Sequence, residues 1–231
     1  RPDAYCQDPY YCTIFYRLNT TRPPLNDVRV RRALSLAIDR ASLVNDVVRG
    51  AGTPASSFTP PGAGYAVEAP AVSDRRSQTG QARRLLAEAG FPGGQNFPTL
   101  EIMTTSRDVQ RVMAETIQAM WQKELGIHVE IRACEWTAYK AAQQNGDYDI
   151  SSSSWSGDFL DPATFVELWR SGGGNNCTGW GSTACDAALT AARNSGSADE
   201  RRAHLRRAEQ LMLEAQPVIP LYWSERTYLK S

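Results

Sequence analysis

Between residues 108 and 125 apolar side chains recur every three or four positions, with Val109, Val112, Met113, Ile117, Met120 and Trp121 on one face. The spacing predicts a long amphipathic helix from Asp108 to Leu125 with those six inward. The same period runs through "NDVRVRRALSLAID", where Asn26 or Asp27 supplies the cap and Val30, Ala33, Leu34, Ala37 and Ile38 share a face. A second helix follows in "RASLVNDVVRG" and stops at Gly50, and another in "QARRLLAEAG" stops at Gly90. Further helical stretches cover Thr164 to Arg170, Cys185 to Asn194 and Ala198 to Ala215. Short β-rich runs lie between them: "CTIFYRLNT", "TLEIMTTS", "IHVEIRA", "YDISSSSW" and the closing "PVIPLYWSERTYLKS". Residues 51 to 78, rich in Gly, Pro and Ser, read as an irregular crossing segment. Alternating strands and helices make an α/β domain, with one sheet flanked by helices.

Composition narrows the class. The chain has 231 residues and is 42% hydrophobic, enough to bury a substantial core. Lys+Arg and Asp+Glu number 25 each, so no overall positive field recruits nucleic acid or an anionic membrane. No run of about 18 apolar residues is present. The chain opens at Arg1 rather than at methionine and so reads as a processed or excised piece, which leaves its targeting open.

Cysteine spacing suggests a compartment. Cys6 and Cys12 flank an Asp-Pro turn in "YCQDPYYC", and Cys177 and Cys185 bracket the Gly-rich "CTGWGSTAC". Both pairs have the spacing of small disulfide loops, which fit an oxidising environment; the competing reading is thiols packed as small apolar residues. Cys134 stands alone at a strand end and is expected to be free. With no Cys-x-x-Cys and only His128 and His204, neither a metal site nor a cofactor is expected.

Six segments carry a resemblance: "LNTTRPPLNDVRVRRALSLAIDRASLVNDVV", "ARRLLAEAGFP", "MWQKELGIHVEI", "GDYDI", "WSGDFLDPATF" and "ERRAHLRRAEQLMLEAQPVIPLYW". In this order and spacing the chain resembles the extracellular solute-binding proteins that serve dipeptide and oligopeptide import through bacterial ABC transporters. The resemblance implies that residues 1–231 form a single α/β lobe, the C-terminal ligand-binding lobe of a two-lobed periplasmic-binding-protein-like fold, with the other lobe outside this chain. It further implies a periplasmic or other extracytoplasmic, envelope-associated monomer without catalytic activity. Such a protein captures a small peptide and delivers it to a membrane permease. Two alternatives share the fold: a non-peptide solute (metal chelate, opine, sugar or haem) and the ligand-sensing domain of a transcription regulator.

The resemblance also assigns a site. In the family's peptide binders a W-x-x-D segment lies in the cleft and its aspartate pairs with the α-ammonium of the peptide; here those positions are Trp155 and Asp158. The chemistry is sound in itself, since an ammonium taken out of water needs a carboxylate within hydrogen-bond reach. Beside it, Ser154, Ser156 and Gly157 offer main-chain groups to an extended ligand. Arg107 and Arg111, one turn apart at the start of the long helix, are candidates for the ligand's carboxylate.

Other charged residues have plainer readings. Asp161, just before Pro162, is expected to cap the next helix. "ERRAHLRRAEQ" reads as a solvated helix face, and Trp121, Trp136 and Trp169 as core. His128 and His204 read as surface residues. A glycosidase pair built from Asp147 or Asp149 with Asp158 fails, because strand rise separates them by roughly 30 Å.

Overall fold

The computed structural model describes residues 5–62, 64–67 and 74–229. In chain order the elements are β1 (Tyr5–Leu18), α1 (Val28–Ala37), α2 (Arg40–Ser42) continuing into a π-helical turn (Leu43–Val47), β2 (Gly52–Pro54), α3 (Arg75–Glu88), β3 (Leu100–Thr105), α4 (Asp108–Leu125), β4 (Val129–Cys134), α5 (Trp136–Asn145), β5 (Ile150–Ser156), α6 (Ala163–Val166), α7 (Thr183–Asn194), α8 (Ala198–Ala215) and β6 (Val218–Leu229). Six strands form one mixed sheet in the order β2-β6-β1-β5-β3-β4. β3 runs parallel to β4 and β5, while β1 pairs antiparallel with β5 and β6.

The helices start and stop where side chains dictate. Asp27, not Asn26, caps α1 by accepting from Arg29 N–H at 2.8 Å, and Gly126 ends α4 at φ 71°. The supposedly irregular stretch 51–78 holds β2 and the first turn of α3, which Asp74 caps by accepting from Ser77 N–H at 3.0 Å. β1 also begins seven residues earlier than "CTIFYRLNT" suggests.

Helices cover both faces, so strand residues point alternately into different cores. Tyr16, Leu18, Ile102 and Ile150 join α1, α3 and α4 in the larger one. There Trp121 donates its indole N–H to Leu34 O at 2.9 Å. On the opposite face Phe15 meets Phe58, Phe165, Trp169 and Met212, and Met103 meets Tyr139 of α5 and Tyr148.

Three expectations need correction here. Val109 and Val112 are exposed, because they lie at the start of α4 ahead of its first buried residue, Met113; Trp136, at the start of α5, is likewise 60% exposed and stacks on Tyr139. No disulfide joins either pair. Cys12 is a free buried thiol, and Cys6 lies on the same extended strand, so six residues of rise, on the order of 15–20 Å, hold their Cα atoms too far apart; the Cys6 side chain lies outside the described residues. Cys177 donates to Gly174 O, whereas the free Cys185 thiol is buried against Ala208 O at 3.7 Å, and burial pushes it up to about 11. Cys134 is free, as its isolation suggested.

The third correction concerns α8. Glu209, inside the supposedly solvated "ERRAHLRRAEQ", is 0% exposed. Its carboxylate accepts from Phe58 N–H at 2.9 Å, Thr59 N–H at 2.8 Å, Thr59 Oγ1 at 2.7 Å and Tyr65 OH at 2.8 Å. One acidic group thus fixes the loop that delivers Phe58 to the aromatic core. Glu209→Ala leaves four buried donors unpaired and is expected to cost about 3–5 kcal/mol. Chemical denaturation measures this; a loss below about 1 kcal/mol would show that the loop is held by its apolar contacts instead.

Candidate ligand-binding site

β3, β4 and β5 all end at one edge of the sheet, where α4 and α5 begin. Such carboxyl ends, with crossovers leaving on opposite faces, are where open α/β sheets form ligand crevices. Here the crevice is widened by the path of β5. It pairs with β1 from Ile150 to Ser156 but with β3 only at Ile150 and Ser151.

The hydrogen-bond phase of β5 then decides what faces the opening. Asn19 N–H donates to Asp149 O at 2.9 Å and Gly157 N–H to Tyr11 O at 2.8 Å, so odd-numbered residues turn their main-chain groups toward β1. Even-numbered residues turn theirs the other way, where the Ser152 carbonyl accepts from the Tyr139 hydroxyl. Beyond that contact the N–H and C=O groups of Ser154 and Ser156 face an edge that β3 has left.

The turn after β5 is built against aromatic side chains. Trp155 is partly buried against the Phe15, Phe58, Phe165 and Trp169 cluster, and its indole N–H is enclosed without an acceptor among the described residues. The Tyr11 hydroxyl is in the same condition; burial first, then Asp161 and Glu209, pushes it up to about 12. Tyr11 packs edge-on against Phe165 at 4.7 Å between centroids. Gly157 sits where these rings converge.

Its neighbour Asp158 is exposed and has no ion-pair partner among the described residues. Its main-chain N–H donates to Thr164 Oγ1 at 3.2 Å, and that hydroxyl reaches the carboxylate only at 3.5 Å. Asp161, three residues on, differs in every respect. It accepts from Arg201 at 2.7 and 2.8 Å and caps Ala163 N–H at 2.8 Å, and the Arg201 guanidinium holds its carboxyl below the usual range. Of the two acids in "WSGDFLDP", Asp161 is committed to holding the chain and Asp158 is left open.

Asp158 lines a groove of about 740 Å³ with Asp8, Tyr10, Tyr11, Gly157, Phe159, Leu160, Arg226 and Tyr228. The floor comes from the ribbon in which Tyr5 to Pro9 pair with Glu225 to Leu229. Phe159 and Leu160 stand out at the rim, Leu160 being 79% exposed. Their exposure next to the Trp155–Asp158 turn went unnoticed in the sequence, where a Phe-Leu pair reads as core.

The two arginines at α4 do not converge on this groove. Arg107 precedes the first turn without a capping contact, and Arg111 is engaged by Glu115 at 2.8 Å along its own helix. Asp147 and Asp149 lie at the far end of β5 and pair with Arg22 at 3.3 and 3.5 Å, which removes them from the site. Among the described residues no cluster of His, Cys, Asp and Glu is arranged to hold a metal ion.

A methyl group on residue 157 would lie 2.6 Å from Tyr11 Cδ1 and 3.0 Å from Phe165 Cε2. Gly157→Ala is therefore expected to push these rings apart and destabilise the fold by about 1–3 kcal/mol. Thermal unfolding checks it; an unchanged melting temperature would mean that the rings yield freely and the turn is not fixed by them.

Comparison with known proteins agrees with this geometry. Residues 4–177 match the profile of bacterial extracellular solute-binding proteins, family 5 Middle. The chain is 30% identical over 228 residues to the periplasmic oligopeptide-binding protein OppA of Salmonella typhimurium, an alignment covering 96% of this chain and 41% of that protein. Among solved structures, the Escherichia coli murein tripeptide binding protein MppA superposes with a TM-score of 0.93 at 30% identity, over 100% of this chain and 46% of its own. The Borrelia burgdorferi oligopeptide-binding protein OppAIV does so with a TM-score of 0.89 at 34% identity, over 99% and 45%. The chain spans less than half the length of these relatives. With a profile match over most of its residues and the same fold throughout, the chain belongs to the bacterial extracellular solute-binding proteins, family 5.

Proposed function

We propose that this chain is one ligand-binding lobe of a longer, two-lobed extracytoplasmic protein that captures a peptide and hands it to the membrane permease of an ABC importer. The observation that carries the reading is the pairing of an open strand edge with an unpaired acid. Ser154 and Ser156 offer alternating donors and acceptors to an extended main chain, and Asp158 stands beyond them without a cation among the described residues. An edge reads backbone, which all peptides share, and the acid reads the α-ammonium, which fixes direction. The relatives named above are described as binding oligopeptides and a murein tripeptide, and two of the three as periplasmic or acting there. No described helix is long and apolar enough to cross a membrane. The protein acts as a monomer in this reading.

Within it, Trp155 walls the ammonium site and Gly157 lets the turn that carries Asp158 close onto Tyr11 and Phe165. Arg107 and Arg111 would serve a ligand carboxylate only where it reaches the α4 side of the crevice. Arg111 must first leave Glu115, so Arg107 is the better placed of the two.

The test is a cycle on the two-lobed protein: free and N-acetylated peptides against wild type and Asp158→Asn, by calorimetry. The substitution keeps shape and one acceptor but removes the charge, so free peptide is expected to lose about 2–5 kcal/mol of binding. Acetylated peptide, without its cation, should bind poorly to both. A coupling above about 1.5 kcal/mol places the ammonium at Asp158; a coupling near zero makes Asp158 a turn residue and turns the reading toward a non-peptide solute.

A further inference from the structure

Beneath the open edge lies a cation that the peptide reading leaves without a counterpart. Arg17, on β1, is only 6% exposed; the ionisable groups that act on it are Tyr148, Tyr139 and Cys177, and no carboxylate pairs with it among the described residues. Its Nη2 donates to Asn175 O at 3.1 Å, and its Nε is enclosed with no partner among the described residues. Burying a guanidinium without an opposite charge costs several kcal/mol, and folds rarely retain such a group without a use for it.

The direction of the side chain matters. In the strand register Arg17 faces Ser151, yet its Nη1 donates to Ser153 Oγ, two residues nearer Trp155. The charged head therefore leans along the sheet toward the groove. Gln143 and Tyr139 meet it there. Gln143 Nε2 lies 3.0 Å from Ser153 Oγ, 3.0 Å from Ser151 Oγ and 3.1 Å from Tyr139 OH, and that phenol lies 2.8 Å from Ser151 Oγ and 3.3 Å from Ser153 Oγ. The Tyr139 hydroxyl gives its one hydrogen to Ser152 O, so Ser153 Oγ takes Arg17 and Gln143 and has no capacity left for a further donor. A buried positive charge with an unpartnered Nε, beside the amide donor of Gln143, describes a receptor for an acceptor-only anion. A carboxylate, planar and able to take a guanidinium in a fork, has that chemistry.

We infer that Arg17, supported by Gln143 and Tyr139, receives a carboxylate of the bound ligand. The inference rests on the peptide reading above, and deepens it from peptides in general to peptides with an acid at a set distance from the amino terminus. Ser153 and Asp158 are five residues apart, the last two in the turn beyond β5, so the span is at most about 16 Å, which an extended peptide covers with about three to five residues. A ligand whose ammonium sits at Asp158 and which runs back along the open edge past Ser156 and Ser154 brings its third to fifth residue to Arg17. The acid there is either an acidic side chain or the carboxy terminus of a short peptide.

Four peptides distinguish these sources in the two-lobed protein: tetraalanine and its amide, and the amides of Ala-Ala-Glu-Ala and Ala-Ala-Gln-Ala. Calorimetry is expected to show a preference of about tenfold or more for the acid in at least one pair. The first pair identifies the terminus and the second the side chain. In Arg17→Gln that ratio should fall below about threefold, and in Arg17→Lys, which keeps the charge without the fork, it should fall part way. A merely structural Arg17 would weaken both members of a pair equally and leave the ratio as it was, which would overturn the inference. So would a ratio lost in Arg107→Ala but kept in Arg17→Gln. If Arg17→Gln fails to fold, Arg17→Lys and the wild-type ratio still decide: equal binding of all four peptides by wild type overturns the carboxylate receptor alone, whereas binding of none contradicts the peptide reading and the inference together.

Discussion

β5 is shared unequally by its neighbours, and most of the candidate site follows from that. β1 pairs with it from end to end, whereas β3 parts from it after Ser151. Main-chain N–H and C=O groups must find partners, and a strand edge inside a fold is a standing demand for them. At Ser152 the demand is met internally by Tyr139. At Ser154 and Ser156 it is left to whatever enters the crevice. A bare sheet rim would invite any strand; this edge is flanked by Trp155 and Asp158, so shape and charge bear on what pairs with it.

That edge is useful only if it is held still, and the opposite face of the sheet does so. Phe15, Phe58, Phe165 and Trp169 meet edge to face behind Trp155, with Phe58 4.8 Å from Trp169 between centroids. Phe58 arrives on a loop fixed by the four donors that converge on Glu209. A carboxylate on α8 thereby acts through an aromatic stack on the turn that carries Asp158. Rigid support of this kind lowers the ordering cost that ligand binding would otherwise meet.

The sequence revealed local elements better than it revealed their partners. The bounds of α4 and α8 were legible because strong helical periodicity and clear end signals agree there. Family resemblance singles out Trp155 and Asp158 as candidates, and the structure shows that the neighbouring acid, Asp161, is held by Arg201. Glu209 was hidden because its neighbours in sequence are charged, while its four donors lie some 150 residues away in the chain. Arg17 was hidden for a related reason: a strand covered on both faces gives no alternation from which to read a buried charge. The cysteine pairs misled because spacing permits a loop without showing that the chain turns. Cys6 and Cys12 share one strand, so the extracytoplasmic proposal rests on the family and not on disulfides.

The central claim is that the even-numbered edge of β5 is where the ligand's main chain pairs. Amide hydrogen exchange at Ser154 and Ser156, followed in the two-lobed protein with and without a bound peptide, tests it most directly. Without ligand these two amides should exchange quickly while their odd-numbered neighbours Ser153 and Trp155, bonded to β1, exchange slowly. With peptide bound, Ser154 and Ser156 should become protected by about tenfold or more, with little change at Ser153 and Trp155. Protection that is already high without ligand, or that peptide leaves unaltered at Ser154 and Ser156, would contradict the account.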